Sequence, residues 1–163
     1  MIVAIRIDER LIHGQVATMW TNSLKVTRIM VVDDTIIKNE MEKEVLKLAK
    51  PGNVKLSILS VRTAADRILA DNYEDQRVFL LVKNPETLVQ LISYGVAIKE
   101  VNVGNLSATV NSRAVTKSVH VDDKQAKAFK ELHDAKVNLQ YQMVPNEEGR
   151  DFYKMMEDVG KWN

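Results

Sequence analysis

A segment near the N-terminus, Arg6 to Val16, brings together residue types suited to phosphoryl chemistry. The imidazole of His13 has an ordinary pKa of about 6.5, so at neutral pH most of it is uncharged and one ring nitrogen is available as a nucleophile. Arg10, three residues earlier, offers a planar fork of donors to phosphoryl oxygens. Asp8 is placed to hold one ring nitrogen protonated and to aim the other outward. The spacing allows these three catalytic roles but does not require them. An isolated arginine such as Arg10 more often forms a surface ion pair, and Asp8 suits a structural role equally well.

The same segment joins a predicted strand to a predicted helix. Residues 1–5 form a short apolar, β-prone run, whereas the pattern over residues 14–23 fits a helix. His13 then lies on a strand-to-helix loop, at the sheet edge where ligands usually bind. Amides at the helix start supply donors and a favourable dipole, and Gly14, which lacks a Cβ, lets the backbone approach a ligand closely. Gly14 and Gln15 are therefore candidates for phosphoryl binding, although Gln15 equally suits a structural role.

Strands and helices alternate along the rest of the chain. Apolar runs predict strands over residues 28–32, 55–60, 77–82, 100–103 and 138–144, with the most apolar run, 77–82, in a central position. Helical periodicity and capping signals predict helices over residues 14–23, about 35–50, 61–72, 85–94, 123–135 and 150–160. In the first helix, Met19 and Trp20 are expected to face the core. The alternation predicts an α/β fold: a single domain over residues 1–163, with an open, mainly parallel β-sheet and helices on both faces.

Other polar residues are predicted to reach the same sheet edge, because right-handed crossovers bring several strand-end loops together. Ser60 follows a predicted strand and is a candidate for phosphoryl binding, although a serine there more often satisfies the backbone near a helix start. Asp33 and Asp34 suit acid/base or magnesium chemistry, but capping of the next helix is the favoured interpretation. Residues 106–117, which include Arg113 and Lys117, form either a loop over the site or, more in keeping with their weak periodicity, a surface connection.

Composition narrows the function classes. The chain has 163 residues and 45% hydrophobic content, enough for one compact domain with a sizeable core. It has no cysteine, which excludes disulfides and thiolate chemistry, and its 3 histidines are far apart, so no metal or other cofactor is expected. The chain is close to neutral, with 23 lysine and arginine residues and 22 aspartate and glutamate residues, so its net charge does not indicate nucleic-acid binding. No apolar run approaches the roughly 20 residues of a membrane span, so we expect a cytoplasmic protein that docks on membranes rather than inserting.

The segment from Arg6 to Val16 resembles the phosphorylation-site motif of the IIB subunits of the mannose/fructose/sorbose family, in the bacterial phosphoenolpyruvate-dependent sugar phosphotransferase system (PTS). Two positions depart from the family pattern: Glu9 stands where a second aspartate is common, and Asn105 follows Gly104 where a second glycine is common. The resemblance covers essentially the whole chain, since further segments fall in the family's order: Arg28 to Asp34, Leu80 to Pro85, Gly95 with Val96, Val101 to Asn105, Thr116 to Val119, and Val144 with Pro145.

This resemblance implies a specific function. His13 would carry a phosphoryl group, on its Nδ1, that a IIA protein donates and that passes to a sugar held by the membrane components IIC and IID. The chain would be a protein-histidine phosphotransferase without a cofactor, peripheral at the inner face of the plasma membrane when docked, and a homo-oligomer is compatible with this. Two other classes fit the residues alone: a phosphate- or nucleotide-binding module, disfavoured because GxGxxG and GxxxxGK[ST] motifs are missing, and a non-enzymatic interaction protein.

Overall fold

Strands and helices alternate along a computed structural model that describes the whole chain, Met1–Asn163. The strands are β1 (Ile2–Asp8), β2 (Arg28–Val32), β3 (Lys55–Leu59), β4 (Val78–Val82), β5 (Glu100–Asn105), β6 (Arg113–Ala114), β7 (His120–Val121), β8 (Asn138–Tyr141) and β9 (Arg150–Asp151). The helices are α1 (Gly14–Leu24), α2 (Glu40–Ala49), α3 (Val61–Leu69), α4 (Pro85–Ser93), α5 (Asp123–Asp134) and α6 (Phe152–Val159), with a 3₁₀ turn at Ile36–Lys38.

Seven strands form one sheet in the order β3-β2-β4-β1-β5-β8-β9. All neighbouring strands run parallel except β9, which pairs antiparallel with β8. Every residue of β4 is buried, as expected for a continuous apolar run inside a parallel sheet covered on both faces. The predicted α/β fold, with its mainly parallel sheet and the central place of the fourth strand, is confirmed.

The two faces of the sheet bury separate apolar cores. The smaller core packs α1 and α2 against one face and includes Trp20, Val31 and Phe79. The larger core packs the other four helices against the opposite face and includes Ile5, Ile7 and Phe129, among others. Since side chains alternate between faces along a strand, Arg6 and Asp8 of β1 point to the α1 side while Ile5 and Ile7 point to the larger core. This alternation sets two charged side chains beside the loop that carries His13.

Two stretches differ from the sequence prediction. The helix expected over residues 35–50 is divided at Asn39, whose backbone is extended and whose side-chain oxygen accepts a hydrogen bond from the Glu42 amide at 3.1 Å. Asn39 is therefore the N-cap of a shorter helix, preceded by the 3₁₀ turn. Near the C-terminus, β8 ends at Tyr141, and the first two residues of the predicted last helix instead form β9.

The position of β1 in the strand order makes the β1–β5 pair a topological switch point. From β1 the chain crosses to β2 on one side of it, whereas the chain after the neighbouring β5 leads to β8 on the other side. Connections that diverge from adjacent parallel strands leave a gap at their carboxyl ends, where open α/β sheets bind ligands. The β1–α1 loop, residues 9–13, lies at this gap, and the amide of Glu9 donates to the carbonyl of Asn105 at 3.1 Å. No helix of the chain is long and apolar enough to span a membrane.

Candidate active site

The loop between β1 and α1 is held in an uncommon backbone conformation. Leu11 has φ 58° and Gly14 has φ 45°, both in the left-handed region. For Leu11 this conformation is sterically costly, and it is stabilised locally by burial of the side chain and by a 2.9 Å hydrogen bond from its amide to the Asp8 carbonyl. A Cβ built on Gly14 would meet no atom within 4 Å. Gly14 therefore takes a positive φ that L side chains rarely adopt, and the close approach of a ligand to its backbone stays a prediction.

Asp8 and Arg10 form the main polar contact of the loop. The buried Asp8 carboxylate accepts hydrogen bonds from Nε and Nη2 of Arg10, both at 3.1 Å, and from the Arg10 amide at 3.0 Å. This is a fork-to-fork arrangement, the most directional form of an arginine–carboxylate pair. The Arg10 side chain remains 40% exposed, and its Nη1 donates to no group of the chain. Arg10 therefore has a fixed orientation and a free donor.

A second arginine, Arg6, lies buried beneath this pair. Its Nη1 donates to the carbonyl of Gln142 at 2.7 Å and to the side-chain oxygen of Asn102, and its Nη2 lies 3.4 Å from Oδ2 of Asp8. The guanidinium carbon lies 5.2 Å from the centroid of the Trp20 ring, within cation–π range. Burial lowers the pKa of Arg6, and the neighbouring Asp8 carboxylate opposes that shift. The Asp8 carboxylate is thus shared by a buried and an exposed arginine.

His13 precedes the first residue of α1 and is half-buried. Burial lowers its pKa below the usual value, the charges of Arg10 and Arg6 act in the same direction, and Asp8 opposes them. The imidazole is therefore mainly neutral at pH 7. Its Nδ1 is buried and has no hydrogen-bond partner. The Asp8 side chain bonds to Arg10 and makes no hydrogen bond to the imidazole ring. The orienting role considered for Asp8 at the sequence level is not present in this geometry.

The start of α1 supplies donors next to His13. The amides of Gly14, Gln15 and Val16 lie in the first turn and have no acceptor within the chain, because the residues four positions earlier are outside the helix. The Gln15 side chain is exposed and makes no hydrogen bond in the chain. A neutral histidine, an oriented arginine and unpaired helix-start amides form a set that favours a phosphoryl group or another tetrahedral anion. The chain has no cluster of three or more histidine and acidic side chains suited to a metal ion.

Comparison with known proteins agrees with this chemistry. The family model described as "PTS system sorbose subfamily IIB component" matches residues 2–162. The chain belongs to the sorbose-type PTS IIB family. The PTS system fructose-specific EIIB component of Bacillus subtilis is 40% identical to it over 160 residues, covering 98% of each chain. The fold and the family expected from the sequence are therefore confirmed, and the chain is a PTS IIB component of a kind that takes part in sugar phosphotransfer.

Two further relatives define the extent of the IIB unit. The PTS system mannose-specific EIIAB component of Escherichia coli is 35% identical over 156 residues, which are 96% of this chain but 47% of that protein. The crystal structure of the IIBSor domain of the sorbose permease from Klebsiella pneumoniae superposes with a TM-score of 0.93 at 29% identity, covering 98% of each chain. The same fold thus occurs both as a separate chain and as about half of a longer protein.

Other candidates from the sequence lie apart from His13 in this IIB chain. Ser60 caps α3, accepting a hydrogen bond from the Thr63 amide at 3.1 Å, and it follows β3, which β2 and β4 separate from β1. The structure does not bring Ser60 to the His13 loop, because β3 is the edge strand. Asp33 accepts hydrogen bonds from two amides of the following turn at 2.8 and 2.9 Å, and Asp34 accepts one from the Val61 amide at 2.9 Å. Both carboxylates thus bind backbone amides, but neither caps the helix predicted over residues 35–50: Asp33 bonds to the turn before it and Asp34 to the first amide of α3.

The segment between β5 and β7 is tied down at both ends. Arg113 donates to the carbonyl of Lys161 at 2.5 Å and stacks 3.9 Å from the Trp162 ring centroid, so its charge is directed to the C-terminal residues. Lys117 is exposed and makes no hydrogen bond. At the other end, the Glu9 carboxylate accepts a hydrogen bond from the Ser107 amide at 3.1 Å. Glu9, a departure from the family pattern, thus anchors the start of this segment beside the His13 loop.

Sequence reasoning missed Arg6. Its position within an apolar strand, two residues before Asp8, was a usable signal, because a charged residue inside a buried strand needs a partner on the same face. Gly104 was expected in a turn at the end of its strand, bordering the His13 loop. It lies within β5, and a Cβ on it would come within 2.2 Å of the Arg6 guanidinium. These two residues connect the site to the neighbouring strand.

Proposed function

We propose that this IIB chain is a phosphoryl carrier in which His13 accepts a phosphoryl group from a IIA protein. His13 then passes the group to the sugar being transported through the membrane components IIC and IID. The observation that supports this most directly is a histidine kept neutral at the start of α1, beside an arginine that is held at two atoms and has one donor free. A neutral ring nitrogen has the lone pair that a nucleophile needs.

The transfer step requires little beyond positioning and charge stabilisation. A neutral nitrogen of His13 attacks the phosphorus in line, and the new N–P bond forms as the donor's N–P bond breaks, so that the donor histidine leaves with its nitrogen lone pair. Negative charge on the three equatorial oxygens is stabilised by Arg10 and by the free amides of Gly14, Gln15 and Val16. These donors are fixed before the reaction, because Asp8 already orients Arg10.

The attacking nitrogen is proposed to be Nδ1, as the resemblance to the family implies. Nδ1 is buried and has no hydrogen bond. Rotation about the Cα–Cβ bond would therefore expose Nδ1 without breaking any bond to the ring. In this proposal the donor protein, on docking, stabilises the rotated ring, so that the unphosphorylated chain keeps its nucleophile protected from solvent.

The proposed partners follow from this route. A IIA protein or domain is the donor, which accords with the mannose-specific EIIAB relative, a longer protein of which this chain matches about half. The acceptor is a sugar bound by IIC and IID, on which the IIB chain docks at the cytoplasmic side without inserting. The choice of sugar then belongs to the membrane components, and the relatives carry fructose-, sorbose- and mannose-specific names. Assembly into a homo-oligomer is compatible with this route.

Phosphoryl uptake tests the proposal. The chain is incubated with phosphoenolpyruvate, the general phosphotransferase proteins and a IIA protein, and intact-protein and peptide mass spectrometry follow. One acid-labile phosphoryl group on His13 is expected, absent from His13→Ala and present in the matched control His133→Ala, whose ring stacks on Tyr153 away from the site. No uptake from several IIA proteins, or uptake that persists in His13→Ala, would overturn the assignment and favour a phosphate-binding module.

A further inference from the structure

We propose that Arg6 and Gly104 are positioning residues for the phosphoryl site. Gly104 leaves the space that the guanidinium of Arg6 fills. Arg6 in turn fixes Asp8, and Asp8 orients Arg10. The inference rests on the proposed carrier function for its effect on transfer, but the structural chain from Gly104 to Arg10 can be tested without any transfer.

The first link is the fit between Gly104 and Arg6. Arg6 is paired with Asn102 in the parallel register of β1 and β5, and Gly104 lies where this register shifts by one residue, because Asp8 pairs with Asn105. A Cβ on Gly104 would lie 2.2 Å from Cζ and Nη2 of Arg6 and 2.7 Å from Nη1. Those distances are far inside van der Waals contact. The guanidinium is also held by the Gln142 carbonyl and lies over the Trp20 ring, so a side chain at position 104 would displace it from its partners.

The second link is the shared carboxylate of Asp8. Its Oδ2 lies 3.4 Å from Nη2 of Arg6 and 3.1 Å from Nη2 of Arg10. The longer distance to Arg6 indicates a contribution of charge more than of a directed hydrogen bond. Asp8 is only 1% exposed, so a nearby positive charge is screened little by water and has a large effect on the carboxylate. Arg6 thus keeps Asp8 in the orientation that pairs with both donors of Arg10.

Stability alone does not explain a buried arginine at this place. Burying a guanidinium costs solvation, as the lowered pKa of Arg6 reflects, and its Nε has no hydrogen-bond partner. Replacing buried ion pairs by apolar residues of similar volume is often neutral or stabilising. Arg6 instead connects Asp8 to Asn102 of β5 and to the Gln142 carbonyl after β8. A positioning role accounts for the cost and for the missing side chain at Gly104.

Three variants test the inference: Arg6→Met removes the charge, Arg6→Lys retains it without the fork, and Gly104→Ala displaces the guanidinium. Gly52→Ala is the matched control, because a Cβ there meets nothing within 4 Å. Two readouts are used: the rate of phosphoryl uptake from phosphorylated IIA, and hydrogen exchange of the Arg10 Nε–H followed by ¹⁵N NMR. Circular dichroism and thermal unfolding confirm that each variant is folded.

The variants that disturb Arg6 are expected to take up phosphoryl groups more slowly and also to protect the Arg10 Nε–H less from exchange. Arg6→Met and Gly104→Ala should take up phosphoryl groups about 10- to 100-fold more slowly, since small displacements of catalytic groups have effects of that size. Their Arg10 Nε–H should exchange faster, whereas Arg6→Lys should be intermediate and Gly52→Ala unchanged. Because both changes act through one guanidinium, the double variant Arg6→Met/Gly104→Ala should be no slower than the slower single variant.

Several outcomes would overturn the inference. Wild-type rates of uptake in Gly104→Ala, or wild-type Arg10 Nε–H exchange in a folded Arg6→Met, would show that neither residue positions Arg10. If Arg6→Met does not fold, Arg6→Lys and Gly104→Ala decide the question on the same readouts. If the wild-type chain takes up no phosphoryl group on His13, the proposed function fails, and the Arg10 exchange measurement still confirms or refutes the positioning of Arg10 by Arg6 and Gly104.

Discussion

Replacing Arg10 by alanine should slow phosphoryl transfer far more than it destabilises the fold. Asp8 would lose two hydrogen bonds at 3.1 Å from a half-exposed side chain, but it keeps Arg6 and the amide of residue 10. We expect a loss of about 1 kcal/mol in the free energy of unfolding, because an ion pair with a solvent-exposed arginine, or a single net hydrogen bond, contributes about that much. For a chain of this length this corresponds to a fall in Tm of about 2–4 °C.

The effect of Arg10→Ala on transfer is expected to be much larger. Removal of one preorganised donor to a charged transition state typically lowers the rate by about 10²–10³, equivalent to about 2.7–4 kcal/mol. Rapid-quench measurement of phosphoryl uptake from phosphorylated IIA gives the rate, and Arg10→Lys should lie between the wild type and Arg10→Ala because it keeps the charge without the fork. The control is Arg62→Ala, an exposed arginine that pairs with Asp66 on α3. An unchanged rate in folded Arg10→Ala would remove Arg10 from the mechanism.

Three further changes distinguish residues needed for phosphoryl transfer from residues needed only for stability: a change of pH, substitution of Asp33 or Ser60, and substitution of Gly14. Because the pKa of His13 in the folded chain lies below its ordinary value, the rate of phosphoryl transfer should stay constant as the pH falls to about 6.5 and decline only below it. A pH–rate profile with its midpoint above 6.5 would contradict His13 as the nucleophile. Below about pH 6.5 the His13 side chain binds a proton more readily in the unfolded chain than in the folded chain, so the free energy of unfolding should decrease as the pH falls through this value. Denaturant titrations of His13→Ala should lack this decrease. Asp33→Ala removes the acceptor of two turn amides and Ser60→Ala removes the N-cap of α3, and each should cost about 1–2 kcal/mol in urea unfolding with transfer unchanged. A folded variant with slow transfer would return its residue to the site. Gly14→Ala places a Cβ at φ 45° and should both cost about 1 kcal/mol and slow transfer, whereas wild-type uptake would show that this backbone conformation is dispensable.

Local signals in the sequence predicted the parts of the fold that depend on neighbouring residues. Asn84 followed by Pro85 begins α4, and Asp122 with Gln125 forms the expected capping box of α5. Asn39 carried a comparable signal, with its side chain capping the third following amide, but the apolar pattern around it favoured one long helix. Met19 was predicted to face the core with Trp20, yet it is 39% exposed. Adjacent helical residues point about 100° apart, so one narrow apolar stripe accommodates only one of them.

Strand order is what the sequence could not predict, and it decides the composition of the site. Ser60 follows an apolar strand and Gly104 lies near the end of another, so the local pattern treats them alike. The sheet places β3 at its edge and β5 beside β1, which removes Ser60 from the His13 loop and brings Gly104 against Arg6. Pairing between distant strands depends on the packing of both faces of the sheet at once, and no short segment encodes it. The candidate site residues lie within one short segment, whereas Gly104, which packs against Arg6, is about 100 positions away.

The charge balance of the candidate site gives the buried arginine a role in the proposed phosphoryl transfer. With His13 neutral, Arg10 and Asp8 alone would form a neutral pair, and the carboxylate would repel an incoming phosphoryl group almost as strongly as the arginine attracts it. Arg6 offsets the charge of Asp8 from the buried side, so Arg6, Asp8 and Arg10 together carry one net positive charge. A phosphoryl group adds about −1.5 to −2 charges, and the free Nη1 of Arg10 is the donor that faces no group of the chain. Because Arg6 is shielded from solvent, salt screens its contribution less than that of Arg10, so the attraction should persist at physiological ionic strength.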